Sequence, residues 1–325
     1  MDPILLALPV LAGVVTALGL HLTLKRVRLP LDRPNERSLH TTPTPRSGGL
    51  VATPVVLAAW IAVPAGVPWP VWVACALLFV VSALDDLRSL PVVARFACHL
   101  AAAALATLGL GPQPWDPFTI FLAVLAIGWM TNLYNFMDGA DGLAGGMAVI
   151  GFGAYGLAAW LGADPSLAVA AWVLAGVAAG FLAWNFPPAK VFLGDAGSIP
   201  FGGMAGALGL LGWSRGLWPT WFPLLVFAPF ILDASVTLAR RTLRGEKIWQ
   251  AHREHYYQRL VRLGWGHRRT AMVEYALMLV CAGTAVAGLK LDASLHAWLL
   301  VASTVAFALL MVLIDRAWQR HAIEA

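Results

Sequence analysis

Charge is what this 325-residue sequence has least of: Asp, Glu, Lys and Arg make up 12% of it, against 59% hydrophobic residues. An ordinary soluble domain carries about 25% charged residues, and a soluble surface of this size cannot be covered with so few ions. A mean hydropathy of +0.74 points the same way. Soluble enzymes, disordered tails, fibrous proteins and disulfide-rich secreted domains are excluded at this level. Cysteine is nearly absent too. Cys75, Cys98 and Cys281 are odd in number, far apart and set in apolar runs, so they read as small apolar groups rather than as disulfides or metal ligands. The sequence contains neither G-x-x-x-x-G-K-[ST] nor a strand-borne G-x-G-x-x-G, which argues against an ATPase or a dinucleotide-binding fold. Internal repeats, low-complexity tracts and a second domain are missing as well. The net charge of +5 does not call for nucleic acid, because membrane proteins collect Lys and Arg in cytoplasmic loops.

What is present is a series of apolar runs, each long enough to span a bilayer. Eleven are read, near 3–24, 48–64, 67–84, 92–110, 117–134, 143–161, 165–184, 199–212, 218–238, 270–289 and 294–314. The expectation is an all-α polytopic membrane protein of about 10–11 helices, forming one transmembrane catalytic unit over 1–325. Eleven spans put the loops near 25–47, 85–91, 135–142, 185–198 and 239–269, with the C-terminal tail, on one side. Of the 22 Lys and Arg, only Arg215 and Lys290 fall on the other, and the remaining 20 mark the first side as cytoplasmic.

Every polar cluster of interest falls on that same side. The first, 32-DRPNERSLHTTPTPRSGG-49, is a basic loop containing Arg46; a plain positive-inside loop accounts for it equally well. The second is Asp85-Asp86 at the end of span three. Adjacent carboxylates beside hydrocarbon repel, cost desolvation and oppose the helix dipole, so they call for a cation or a protonic role. The third is 132-NLYNFMDGADGLAGG-146, in which Asn132, Asn135, Asp138 and Asp141 recur every three residues and are expected to be neighbours along a helix surface. Oxygen clusters of this kind suit Mg²⁺, whereas Gly145-Gly146 reads as helix packing. In the fourth, 184-WNFPPAKVFLGDAGS-198, Asn185 and Asp195 bracket an apolar hairpin with Lys190 as its one cation, and Ser198 is expected to cap the next helix. A re-entrant turn with one solvated Asp is the bland alternative. The fifth is the loop 240–269. Its His252 and His255 are expected to share a helix face with Arg253 beside them, as an anion grip or as part of an amphipathic helix on anionic lipid with Trp249 and Trp265. Asp233 and Glu274 read equally well as partners of loop arginines such as Arg240 or Arg244 and as residues with a direct role.

Carboxylates with cations around them, at helix ends beside lipid headgroups, suggest handling of a diphosphate with a lipid as one substrate. The ordered set DRPN…H…PRSGG, DD, NFMDGADGLAGG, NFPPAKVFLGDAGS and HREHYYQRL resembles the polyprenyl-phosphate N-acetylhexosamine-1-phosphate transferases, glycosyltransferase family 4. The resemblance covers about residues 32–266. It implies attack of undecaprenyl phosphate on the β-phosphorus of a UDP-N-acetylhexosamine, giving undecaprenyl-diphospho-sugar and UMP. It also implies Mg²⁺, with Mn²⁺ able to substitute, a cytoplasm-facing site in a bacterial inner membrane, no nucleic-acid partner, and compatibility with a homodimer. Residue by residue, it makes Asp85, Asp86 and Asp195 catalytic, with Asp85 as base, and Asp141 and Asp195 metal-binding. Substrate contacts fall to Arg46, Asn132, Asn135, Asp138, Asn185, Lys190, His252, Arg253 and His255. The H-R-x-H-x-x-Q-R-L form looks like the branch that initiates O-antigen and enterobacterial common antigen, and unlike the adjacent histidines of the phospho-N-acetylmuramoyl-pentapeptide transferases of peptidoglycan synthesis. The implied sugar is N-acetylglucosamine or a 6-deoxy relative.

Three other classes compete. A CDP-alcohol phosphotransferase needs a D-G-x₂-A-R pattern that 138-DGADGL-143 only begins. A transporter or flippase places its acids near the bilayer midplane, and these lie at helix ends. A non-catalytic scaffold has no use for clustered oxygens.

Overall fold

A computed structural model describes residues 3–26, 31–34, 38–63, 66–110, 115–247, 250 and 252–324. Residues 35–37 of the first motif and Trp249 lie outside the described residues. The chain runs as helices α1 (Pro3–Arg26), α2 (Gly48–Ile61), α3 (Trp69–Arg88), α4 (Val92–Leu108), α5 (Pro117–Phe136), α6 (Leu143–Leu161), α7 (Pro165–Asn185), α8 (Asp195–Ser214), α9 (Trp221–Val226), α10 (Ala228–Leu243), α11 (Tyr256–Leu260), α12 (Gly266–Gly288) and α13 (Ala293–Glu324). Two-residue strands β1 (Leu31–Asp32) and β2 (Thr44–Pro45) pair antiparallel, and a π-turn, Val261–Trp265, joins α11 to α12.

Each apolar run became a helix, so the expected all-α polytopic membrane fold is what the chain adopts. Seven of the described helices are long and apolar enough to cross a membrane by length and composition. The run near 218–238 is broken into α9 and α10 at Phe227–Ala228, with Pro229 entering the first turn of α10, where a missing amide costs nothing. Two starts come earlier than the hydropathy suggested: α8 at Asp195 and α12 at Gly266. Polar first turns lower the local hydropathy without weakening the helix.

Caps are clearest at the end away from the motifs. Asp116 accepts the amides of Phe118 (2.9 Å) and Thr119 (3.2 Å) to start α5, and Asp164 accepts that of Leu167 (2.9 Å) to start α7. Arg215, one of the two cations on that side, pairs with Asp164 at 2.8 Å. Cys75 and Cys281 are buried and free, as small apolar groups.

The core lies along α6, α7 and α8, whose inward faces are closed by Phe152, Phe181 and Phe201. By contrast α1 and α13 carry rows of exposed Leu and Val on their outer faces, the signature of a lipid-facing surface. Small residues set the helix spacing near the motifs. A Cβ on Gly49 would come within 2.1 Å of the Gly197 nitrogen, so only glycine lets the starts of α2 and α8 touch. Gly146 is likewise packed against the Tyr275 ring and has no polar role.

Candidate active site

At the motif end the chain makes a parallel splice. Phe192 donates its amide to Pro45 (2.8 Å), and Gly48 and Gly49 donate to Phe192 and Leu193 (2.9 and 2.7 Å). This lays the 44–49 loop along the hairpin before α8 and sets Arg46 over Asp195. The helix ends here surround a cavity of about 710 Å³. Of the residues singled out from the sequence, Arg46, Asp85, Asp86, Asn132, Asn135, Asp138, Asp141, Asn185, Asp195, His252 and His255 all line it. Two do not. Lys190 is exposed, with its ammonium 5.4 Å above the Trp184 ring, and Arg253 offers its carbonyl to Arg262 (3.2 Å) outside the lining.

One wall is acidic and pinned by arginines. Arg46 reaches Asp195 at 3.2 Å and Asp86 at 3.4 Å. Burial works against its charge, but Asp195, Asp86, Asp32 and Asp138 outweigh it and raise its pKa. Asp86 accepts the Ala196 amide (3.1 Å) in the first turn of α8, so that helix start is already occupied by a carboxylate. Ser198 does not cap α8. The cap is Gly194, at φ +71°, and the Ser198 hydroxyl lies one turn inside, within bonding distance of Gly194 and Asn135. Asp85 is tied down at both oxygens: one accepts the Leu90 amide and the other Arg95, both at 2.6 Å.

Only part of the Asn/Asp series shares a helix. Asn132 and Asn135 are on α5, but the helix ends at Phe136, and Asp138 and Asp141 sit in the turn before α6, as the glycines there dictate. Among the described residues the Asp138 carboxylate has no hydrogen-bond or ion-pair partner. Burial holds its pKa well above the usual range, against Arg46 and reinforced by Asp195 and Asp86. Asp141 is tied down instead. Its oxygens lie 2.9 Å from the Ala189 amide and 3.2 Å from His267 Nδ1. Burial pushes its pKa up, yet these partners prevail and lower it. Of the two, Asp138 keeps the open carboxylate. The Asn185 amide is spent on backbone, accepting from Gly142 (2.9 Å) and donating to Val191 (2.8 Å), so it staples the turn to the hairpin.

The opposite wall is the loop before α11. His252 and His255 are not on a shared helix; they precede α11, yet their rings lie 4.8 Å apart, tilted by 38°. Burial, then His255 and Arg241, bring the His252 pKa down to about 4. His255 is oriented by Asp233, which takes its Nδ1 (3.2 Å) and the amides of Tyr256 (2.9 Å) and Tyr257 (3.0 Å). Among the described residues Asp233 therefore pairs with no arginine. Arg240 goes to Asp315 (2.6 Å), and Arg244 to Glu246 and Glu254. Among the described residues Glu274 also has no arginine partner. The loop is thus a salt-bridged turn with a short helix rather than one amphipathic helix, and Trp265 is covered by Arg269 at 4.3 Å.

Three ionisable lining residues went unremarked in the sequence: Arg95, His99 and His267. Arg95 and His99 stand one turn apart within the apolar run of α4. Ionisable groups inside a span are functional candidates by default, and that signal was available. His267 hid in a basic stretch; its Nε2 donates to the Leu39 carbonyl (3.2 Å).

The family described as glycosyl transferase family 4 matches residues 68–212. A probable undecaprenyl-phosphate N-acetylglucosaminyl 1-phosphate transferase of Bacillus subtilis is 29% identical over 306 residues, 85% of this chain and 83% of the relative. A decaprenyl-phosphate N-acetylglucosaminephosphotransferase of Mycolicibacterium smegmatis is 33% identical over 291 residues, 74% of this chain and 71% of the relative. A phospho-N-acetylmuramoyl-pentapeptide-transferase of Enterococcus faecalis is 31% identical over 173 residues, 51% of this chain and 52% of the relative.

Proposed function

Because the chain belongs to glycosyl transferase family 4, we propose that it transfers N-acetylglucosamine 1-phosphate from UDP-N-acetylglucosamine to undecaprenyl phosphate. The products are undecaprenyl-diphospho-N-acetylglucosamine and UMP. The reaction takes place at the cytoplasmic face of a bacterial inner membrane and starts a cell-surface polysaccharide of O-antigen type. One observation carries this reading: a single cavity at one end of a bundle with lipid-facing helices gathers carboxylates, arginines and histidines. The two relatives matched over most of their length are named as N-acetylglucosamine-phosphate transferases, which favours that sugar and disfavours the pentapeptide branch. Transport is disfavoured because the acids lie at helix ends.

The chemistry is mainly electrostatic. A phosphomonoester with a second pKa near 6 is largely a ready nucleophile at neutral pH, so the site must chiefly offset charge and align the two phosphates. Asp85, which accepts from Arg95 and from the Leu90 amide, fixes Arg95 in this reading, and a ready nucleophile leaves little need for it as a base. Among the described residues no three acidic or histidine groups form a ready-made ligand set. Mg²⁺ nevertheless needs only one or two carboxylates beside water and substrate phosphates, and the unpartnered Asp138 next to Asp195 and Asp86 meets that demand. These residues would hold Mg²⁺, or Mn²⁺ in its place, and the ion would supply neutralisation of the diphosphate. Arg46 keeps Asp86 and Asp195 together, and His252 and His255 face the donor from the other wall.

The test is turnover by purified protein given radiolabelled UDP-N-acetylglucosamine, undecaprenyl phosphate and Mg²⁺, scored for UMP and lipid-linked sugar, with a panel of UDP-sugars alongside. Product with N-acetylglucosamine is expected. No product from any UDP-sugar would sink the assignment.

A further inference from the structure

His99 is 4% exposed, on the face of α4 that lines the cavity, one turn deeper than Arg95. Its neighbour Asn132 donates Nδ2 to the Gly128 carbonyl (2.7 Å), which turns the Asn132 oxygen toward His99 Nδ1 at 3.2 Å. An acceptor oxygen at that position requires the imidazole proton on Nδ1, leaving Nε2 as a bare acceptor. That Nε2 is buried with no hydrogen-bond partner among the described residues. Arg95 shows the complementary lack: one terminal nitrogen bonds Asp85, while its Nε–H is buried and unpartnered.

Buried polar groups are nearly always satisfied. One donor and one acceptor left open on successive turns of one helix describe a ligand that offers an acceptor oxygen and an O–H together. A phosphate monoester does so in its singly protonated form, which coexists with the dianion near pH 7 because the second pKa is near 6, and its charge suits the guanidinium. Location identifies which phosphate. Val92 and Phe96, on the same two turns of α4, are 60% and 52% exposed, so this end of the cavity meets the lipid-facing surface. Asp85 already accepts from Arg95 and from the Leu90 amide, whereas His99 Nε2 is the acceptor left without a partner among the described residues.

We propose that Arg95 and His99 form the subsite for the phosphate of the polyprenyl phosphate acceptor. Arg95 Nε–H donates to a phosphate oxygen, and His99 Nε2 accepts from the phosphate hydroxyl. The proposal rests on the transferase reading above, and the two can fail separately.

The experiment varies UDP-N-acetylglucosamine and a short-chain polyprenyl phosphate independently in steady-state kinetics. His99→Leu is expected to raise KM for the lipid phosphate about tenfold, the scale of one lost hydrogen bond, with KM for the nucleotide sugar unchanged within twofold. His99→Gln, which restores an acceptor, recovers most of the loss. An unchanged acceptor KM, or an equal rise in both constants, overturns the subsite. If His99→Leu does not fold, Arg95→Lys and His99→Gln carry the same comparison. Should wild-type protein make no product at all, the transferase reading fails instead. Equilibrium binding of the polyprenyl phosphate then judges the subsite: about tenfold weaker in His99→Leu supports it, and equal binding overturns it.

Discussion

The two walls of the cavity are held by opposite means. The acidic wall stands on helix ends that touch through glycine: Asp195 opens α8, Asp86 caps its amide, and Gly49 lets α2 approach to van der Waals range. Its charges face each other across Arg46 and Arg95, so its geometry follows from backbone packing. The histidine wall has no such frame. Arg241 ties to Glu246, Arg244 to Glu246 and Glu254, and Arg259 to Asp315, while one buried carboxylate, Asp233, sets the ring of His255. The exposed pairs of Arg244 contribute little each, and the buried Arg241 and Arg259 hold this wall through side chains alone. The difference teaches that the acidic wall is rigid whatever its side chains do, whereas the other wall depends on side chains for its shape.

The largest effect tests the rigid wall. Asp195→Asn is expected to lower kcat by at least about three orders of magnitude with an unchanged melting temperature, because the backbone holds the position. A large fall in melting temperature would break the comparison. Next comes the side-chain wall. Asp233→Asn should cost about 10- to 100-fold in activity, the range for losing a histidine's orienting partner, and adding His255→Ala should cost little more, since the two act as one unit. Additive losses would show that Asp233 acts elsewhere.

Asp85→Asn follows, at about tenfold. Because both carboxylate oxygens are engaged, the loss should be equal at pH 6 and pH 9; recovery at pH 9 would restore a base role. A smaller effect concerns His252. Its folded pKa near 4 lies below the ordinary value, so below about pH 6.5 the unfolded chain takes up a proton that the folded one refuses. Stability should fall from about pH 6.5 to pH 4 and level off below, and His252→Gln should flatten that slope in thermal melts. The smallest is Lys190→Ala, expected within about twofold of wild-type activity because its ammonium rests on Trp184 outside the cavity.

Much of this was legible in the order of residues. Hydropathy placed every long helix, because an apolar run in a bilayer has only one way to satisfy its backbone. The Asp85-Asp86 pair and the 132–146 and 184–198 motifs were visible as polar groups where hydrocarbon should be. What periodicity missed is instructive. A three-residue spacing suggested one helical face for Asn132 through Asp141, but Gly139 and Gly142 ended that regularity. The same spacing suggested a helix for His252 and His255, where Glu254 and Arg244 instead fold a loop. Arg95 and His99 were hidden by averaging, since two polar residues barely change the hydropathy of a span.

By itself, then, the sequence determined a helical membrane protein, the side on which its charge gathers and the chemical types available there, because those depend on composition and local order. Even the outlying Arg215 fits once its partner Asp164 is seen across the bundle. Only the tertiary structure decided which carboxylates are open and which are spent. Among the described residues the Asp138 carboxylate is unpartnered while both oxygens of Asp141 and of Asp85 are engaged, and Asp233 turns to His255. Those outcomes depend on contacts with backbone amides and side chains up to 126 residues away, and no local pattern carries that information.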